Sequence, residues 1–294
     1  MKSVKLDINE VISKVAQLNI TKKGVKNFLQ KYESEYVGLE SIEFYGFRNY
    51  TSEDNPRTID WRSSIRSGEL LCRETLIEKE PEVILAIDCG ASTLYGSVDK
   101  LKIEHEIELA LAIAHICLTV GFTVGAVLYN DKVQGFARPT SGRIQLHHIS
   151  QVLLNPTVFG SKGDLRSAFG LINALVKRES VVIFISDFIG FDEDQKNILN
   201  LLALKCRVIG IMVRDRLDKT LPSGGHVLFR DPSGTESLLV NTNRIASEYE
   251  AISREQENSV VKRFVNTRSK IIRLYTNESF EDNFHKLVLQ NASV

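Results

Sequence analysis

An α/β fold with a doubly wound, mainly parallel sheet is predicted for this chain by three features. Two short, fully apolar runs, Val83–Ile87 and Val181–Ile185, are bounded by polar or turn-forming residues, as strands buried on both faces are. Each runs directly into an acid, Asp88 in one case and Ser186-Asp187 in the other. From Pro81 onward, short apolar runs alternate with longer amphipathic segments, the pattern of strands crossed over by helices.

The 294 residues allow one large domain, or one domain with a smaller module. A small N-terminal α+β module over residues 1–80 and an α/β domain over 81–294 are expected. Residues 1–36 read as helical: Val11, Ile12, Val15 and Leu18 share one face, and Val25, Phe28 and Leu29 mark a second segment. Residues 43–50 alternate and are aromatic, as a strand would be. A turn follows over 52–56, then Ile59-Asp60-Trp61-Arg62, and a further strand over Leu70–Thr75.

In the larger domain, Lys100–Thr119 is a helix whose second half is apolar nearly all round, and so buried. Leu109–Tyr129 has the length of a membrane span, but Gly121, Thr123 and Gly125 interrupt it, so a helix turning into a strand over Val124–Tyr129 is expected. Asn130-Asp131 turns the chain into a short return strand ending at Phe136. Helices follow over Arg143–Leu154 and, capped by Asp164, along Leu165, Ala168, Phe169, Ile172, Leu175 and Val176. After Val181–Ile185 come a helix over Asp192–Leu204 and a strand over Arg207–Val213. A hairpin over Val227–Val240, a long helix over Thr242–Asn266 and a strand over Ile271–Tyr275 come next. Ser279-Phe280-Glu281-Asp282 opens a last helix with Phe284, Leu287 and Val288 inward.

Equal numbers of basic and acidic residues, 37 each, leave no net field to attract nucleic acid or an anionic membrane. The four cysteines lack metal-ligand or redox spacing and fit a reducing cytoplasm. Met1–Ile12 has no apolar core of signal-peptide length, and a cytoplasmic protein is expected. No nucleophile elbow, Walker loop or dinucleotide-binding glycine pattern is present. His147-His148 cannot easily chelate one ion, because adjacent residues on a helix diverge. Arg57, Trp61, Arg62 and Arg66 could bind an anion, although Asp54 and Asp60 beside them favour internal ion pairing.

Asp88 and Asp187 therefore carry the chemistry. Parallel strands bring both carboxylates to one sheet edge, where ligands of open α/β sheets bind. With Ser92 and the loop Gly160-Ser161-Lys162-Gly163-Asp164 they form a cluster of hard oxygen groups of the kind that suits Mg²⁺ or Ca²⁺. Two unrelated helix-capping acids would give the same pattern.

An ordered series extends over residues 37–250. It contains Glu43-Phe44, Arg48-x-Tyr50, Ile59-Asp60-Trp61, Arg66-x-Gly68-x-Leu70, Asp88 and Ile185-Ser186-Asp187-Phe188. Leu221-Pro222, Arg230-Asp231-Pro232-x-Gly234 and Tyr249 complete it. It resembles the domain-of-unknown-function family fifty-eight, bacterial von Willebrand factor A-like proteins often encoded beside MoxR-type AAA+ ATPases. Arg48, Asp60, Trp61 and Arg66 are the signature residues in the N-terminal part.

The resemblance implies a von Willebrand factor A-like domain. It also implies a non-enzymatic role as adaptor or partner of such an ATPase in the assembly, activation or remodelling of other proteins. The site it implies is a metal-ion-dependent adhesion site, onto which Asp88, Ser92 and Asp187 carry over. Gly90 and Gly163 stand at two hydroxyl positions, so the site is degenerate and Mg²⁺ is expected weakly or not at all. Partner contacts are expected on the loops bearing Gly90, Ser161, Asp164 and Ser186. The competing reading is an ATP-binding enzyme, since Asp88-Cys89-Gly90 is similar to the first phosphate motif of actin-like ATPases, which lies in a β-hairpin.

Overall fold

The computed structural model describes residues 6–17, 29, 44–51, 56, 59–75, 82–155, 159–177, 180–222, 224–230 and 237–289. The chain forms two compact units, one of Met1–Leu29 with Pro81–Val294 and one of Gln30–Glu80.

The larger unit is built on a six-stranded sheet. Its strands are β3 (Glu82–Asp88), β4 (Thr123–Tyr129), β5 (Val133–Thr140), β6 (Val181–Ser186), β7 (Arg207–Arg214) and β10 (Lys270–Tyr275), in spatial order β10-β7-β6-β3-β4-β5. All neighbours are parallel except β4 and β5. The two central runs predicted from the sequence, β3 and β6, lie side by side. The fold is the doubly wound, mainly parallel sheet expected of a von Willebrand factor A-like domain. The chain leaves β3 in one direction for β4 and returns to β6 on the other side, so the topological switch lies between β3 and β6.

Alternation along each strand fills two apolar layers. Val83, Leu85 and Ile87 face the layer under α1 (Ile8–Gln17), α3 (Lys102–Val120), α4 (Arg143–Leu153) and α8 (Phe280–Leu289). Ile84 and Ala86 face the layer under α5 (Leu165–Leu175), α6 (Glu193–Ala203) and α7 (Thr242–Asn266). Each fully buried aliphatic side chain on β3 contributes about 1.5–3 kcal/mol. A two-stranded hairpin, β8 (His226–Arg230) with β9 (Ser237–Asn241), is separate from the sheet.

Two local features follow directly from sequence, and a third departs from it. The long apolar stretch does break at Gly121, which ends α3 with φ +106°, a conformation that favours glycine. Among the described residues no helix is long and apolar enough to cross a membrane. Asp164 caps α5 by accepting from the Arg166 N–H at 3.0 Å. The return strand continues past Phe136 to Thr140, with two register irregularities and Pro139 near its end.

The smaller unit holds β1 (Phe44–Asn49) antiparallel to β2 (Leu71–Thr75), with the short helix α2 (Trp61–Ser67) between them in sequence. Asp60 caps α2 through the Ser63 N–H at 3.0 Å, and Gly68 ends it at φ +79°. Ser64 ties α2 to β2 by accepting from the Leu71 N–H at 2.9 Å.

One expected boundary differs. The division at residue 80 puts the first helix in the N-terminal module, whereas α1 packs with the large domain. Val11 and Val15 are buried in the layer beside α3, and Lys14 reaches Glu108 at 2.9 Å. An amphipathic face shows that a helix buries one side, not which element covers it. The expectations for residues 18–28, 30–43, 52–55 and the hairpin turn at 231–234 lie outside the described residues.

Candidate functional site

The site is built where the strands end at the switch point. Asp88 is the last residue of β3, and Ser186 is the last of β6, with Asp187 directly after it. All four carboxylate oxygens of the two acids have an internal donor. Asp88 accepts from the Gly90 N–H at 2.8 Å and from the Ser186 hydroxyl at 3.0 Å. Asp187 accepts from the Ile189 N–H at 2.9 Å and from the Lys102 ammonium at 2.8 Å.

Lys102, in the first turn of α3, is fully buried. Its Nζ lies 2.8 Å from Asp187 and 3.2 Å from each oxygen of Asp218, and 4.2 Å from the centroid of the Tyr95 ring. An ammonium has three donors, and two carboxylates and an aromatic face surround this one. The Tyr95 hydroxyl also donates to Asp218. One turn further along α3, Glu106 is fully buried near Asp88 and Asp187, with neither oxygen partnered among the described residues.

Five buried carboxyl groups (Asp88, Glu106, Asp187, Asp215, Asp218) thus share the region with two buried cations, Lys102 and Arg214. Burial, and then the charge of Asp187, push Asp88 up to about 7 against its hydrogen bonds from Gly90 and Ser186. Burial and the charges of Asp187 and Asp88 raise Glu106 well above the usual carboxylate range. Burial also works to raise Asp187, but the Lys102 ammonium, the Ile189 N–H and Arg214 overcome it and hold Asp187 below its ordinary value. Burial pushes Asp218 up to about 7, against the hydrogen bond it accepts from the Asp215 N–H.

The loops around this network are tied to one another. Ala91 N–H donates to the Ser161 carbonyl at 2.6 Å, Gly160 N–H to the Cys89 carbonyl at 3.0 Å, and Asn130 Nδ2 to the Gly160 carbonyl at 2.7 Å. Asp215 joins three loops at once, accepting from the Ser97 N–H at 2.9 Å, the Leu217 N–H at 2.9 Å and the Thr276 hydroxyl at 2.7 Å. Two bends in these loops have left-handed backbone without glycine: Ser161 at φ +62° and Phe188 at φ +51°.

The sequence-predicted residues divide accordingly. Asp88, Gly90, Ser186 and Asp187 come together, and Ser161 joins them through its carbonyl. Ser92 is half-buried in the turn Ala91–Thr93. Asp164 faces the start of α5 and pairs with Arg166 at 2.8 Å. Arg48, Asp60, Trp61 and Arg66 lie in the other unit. Lys102, Glu106, Tyr95 and Asp218 were not foreseen. The signal for the first two is a lysine and a glutamate four apart, hence on one face, of a helix buried all round.

The residues present do not fit a divalent cation. A Cβ on Gly163 would lie 2.5 and 2.7 Å from the Asp88 oxygens, and a Cβ on Gly90 would lie 2.6 Å from the Gly163 backbone N. These two positions therefore lack hydroxyl ligands and also lack space for them. Among the described residues, no group of three or more His, Cys, Asp or Glu is disposed to hold a metal. The phosphate-motif reading needs β3 in a hairpin, whereas β3 is flanked by two parallel strands.

Strand order and the acid-lined switch point define a doubly wound α/β domain of von Willebrand factor A-like topology. The chain belongs to the family described as protein of unknown function DUF58, which matches residues 46–259. Uncharacterized proteins of Mycobacterium tuberculosis and Mycobacterium bovis are similar, each 26% identical over 186 residues. The match covers 63% of this chain and 58% of each relative, so the chain spans little more than half their length. Among solved structures, the conserved hypothetical protein BatB from Bacteroides thetaiotaomicron is similar at a TM-score of 0.45 and 14% identity, over 72% of this chain and 98% of that one. A von Willebrand factor type A protein from Catenulispora acidiphila gives a TM-score of 0.35 at 12% identity, over 63% of this chain and 44% of its own.

Proposed function

We propose that this chain is a non-enzymatic protein-binding module, an adaptor or partner of a MoxR-type AAA+ ATPase, and that it binds through the loops Cys89–Ser97, Gly160–Asp164 and Asp187–Asp192. The observation that carries the reading is the placement of backbone strain. Ser161 and Phe188 hold left-handed conformations in two loops at the switch point, where strain persists only if the surroundings over-determine it, and where it is concentrated at sites of function. Phe188 is held by edge-on packing against Phe191 and Phe264, at 5.6 and 5.2 Å between ring centroids. Next to it Ile189 is 45% exposed, an apolar anchor at the loop tip. Asp88 and Asp187 beneath are buried and fully hydrogen-bonded within the chain, which suits a framework that shapes the loops.

The test is binding of the purified full chain to a purified MoxR-type ATPase of the same cell. Ile189→Ser should weaken binding at least about tenfold, as loss of a central anchor does. Trp61→Ala with Ile65→Ala, at the exposed face of α2, should not. No binding by the wild type overturns the choice of partner; loss of binding only in the α2 variant overturns the choice of face.

A further inference from the structure

We propose that the Lys102 ammonium is the resident cation of the switch-point site, occupying the role that a divalent metal has in a metal-ion-dependent adhesion site. Two observations converge on it. The ammonium contacts Asp187, one of the two acids that such a site would use, and its remaining directions are closed by Asp218 and the Tyr95 ring. The two positions that would add hydroxyl ligands are sealed by the approach of Gly90, Gly163 and Asp88 to one another.

A tethered cation differs from a bound metal in what it permits. A metal ion with an open coordination position can be bridged by an acidic residue of a partner. A fully buried ammonium with its donors directed inward offers no such position. Where the loop-face reading of partner binding holds, recognition therefore proceeds without a metal bridge and without an acidic ligand residue supplied by the partner.

The experiment needs no partner. In the full-length chain, side-chain ammonium groups are observed by nitrogen-detected NMR while Mn²⁺ is added up to about 1 mM, the weak limit of physiological divalent sites. A slowly exchanging ammonium signal is expected that disappears in Lys102→Met, or in the charge-retaining Lys102→Arg if the first fails to fold. It should remain unbroadened by Mn²⁺, and the thermal midpoint should be the same in EDTA and in Mg²⁺ or Mn²⁺. Saturable broadening of that signal by Mn²⁺, abolished in Asp187→Asn, overturns the proposal. So does the absence of any protected lysine signal.

Discussion

Lys102 Nζ lies 2.8 Å from Oδ2 of Asp187, and both side chains are shut off from solvent. The pair joins the first turn of α3 to the end of β6, bridging 85 residues of sequence across the switch point. A buried ion pair is weak evidence of stability by itself, but removing one partner leaves an uncompensated charge in the interior.

Lys102→Met should accordingly cost about 3–5 kcal/mol at pH 7. The double variant Lys102→Met with Asp187→Asn should recover a substantial part, because the orphaned charge is gone. Urea denaturation of the four proteins in the cycle measures the coupling; additive losses would show that the two side chains act independently.

The raised value of Asp88 gives a pH dependence of definite sign. An unfolded aspartate titrates near about 3.9, and the folded one at about 7. Between those values the folded state binds more protons, so the contribution of Asp88 to stability is lost as pH rises and is flat above about 7. Asp88→Asn carries no such proton. Relative to that variant, the wild type should lose roughly 2–3 kcal/mol between pH 5 and pH 8. Denaturation midpoints at one-unit intervals check this, and parallel profiles would refute it.

Gly90→Ser restores the hydroxyl expected at an adhesion site, but its Cβ would lie 2.6 Å from the backbone of Gly163. The variant should lose about 1–3 kcal/mol, as overpacked positions do. It should also show no calorimetric Mg²⁺ binding. A stable variant that takes up Mg²⁺ would mean that the loop around Gly163 yields easily.

Glu106→Met removes two buried, unpartnered oxygens and keeps a similar volume. A gain of about 1–3 kcal/mol is expected. If the variant is instead less stable, Glu106 has a partner that the static arrangement does not display.

The sheet was legible because its central strands are written as unbroken apolar runs: a period-free run such as Val83–Ile87 has few other uses. The same runs located Asp88 and Asp187, since a polar residue ending such a strand must emerge at the sheet edge. Lys102 was not legible. A lysine beginning a helix ordinarily reaches water, and only the closing of Tyr95 and Asp218 over it makes it internal. The placement of α1 was hidden for a similar reason, since Lys14 and Glu108 meet across 94 residues of chain. Capping acids such as Asp164 look the same in sequence as site acids. What distinguishes them is Arg166, exposed and two residues on, which takes up the Asp164 carboxylate.

The antiparallel strand β5 settles how this domain meets its surroundings along one margin. A strand added by another chain needs a regular row of free backbone donors and acceptors. Here β5 follows its neighbour β4 with two breaks in register, and Pro139 has no N–H to offer. The ring of Pro139 also lies over Gly125 of β4, where a Cβ would come within 2.8 Å of it, so the proline is fitted to its neighbour. The sheet border is thereby irregular, which disfavours its continuation there by a copy of the chain or by a partner's extended segment.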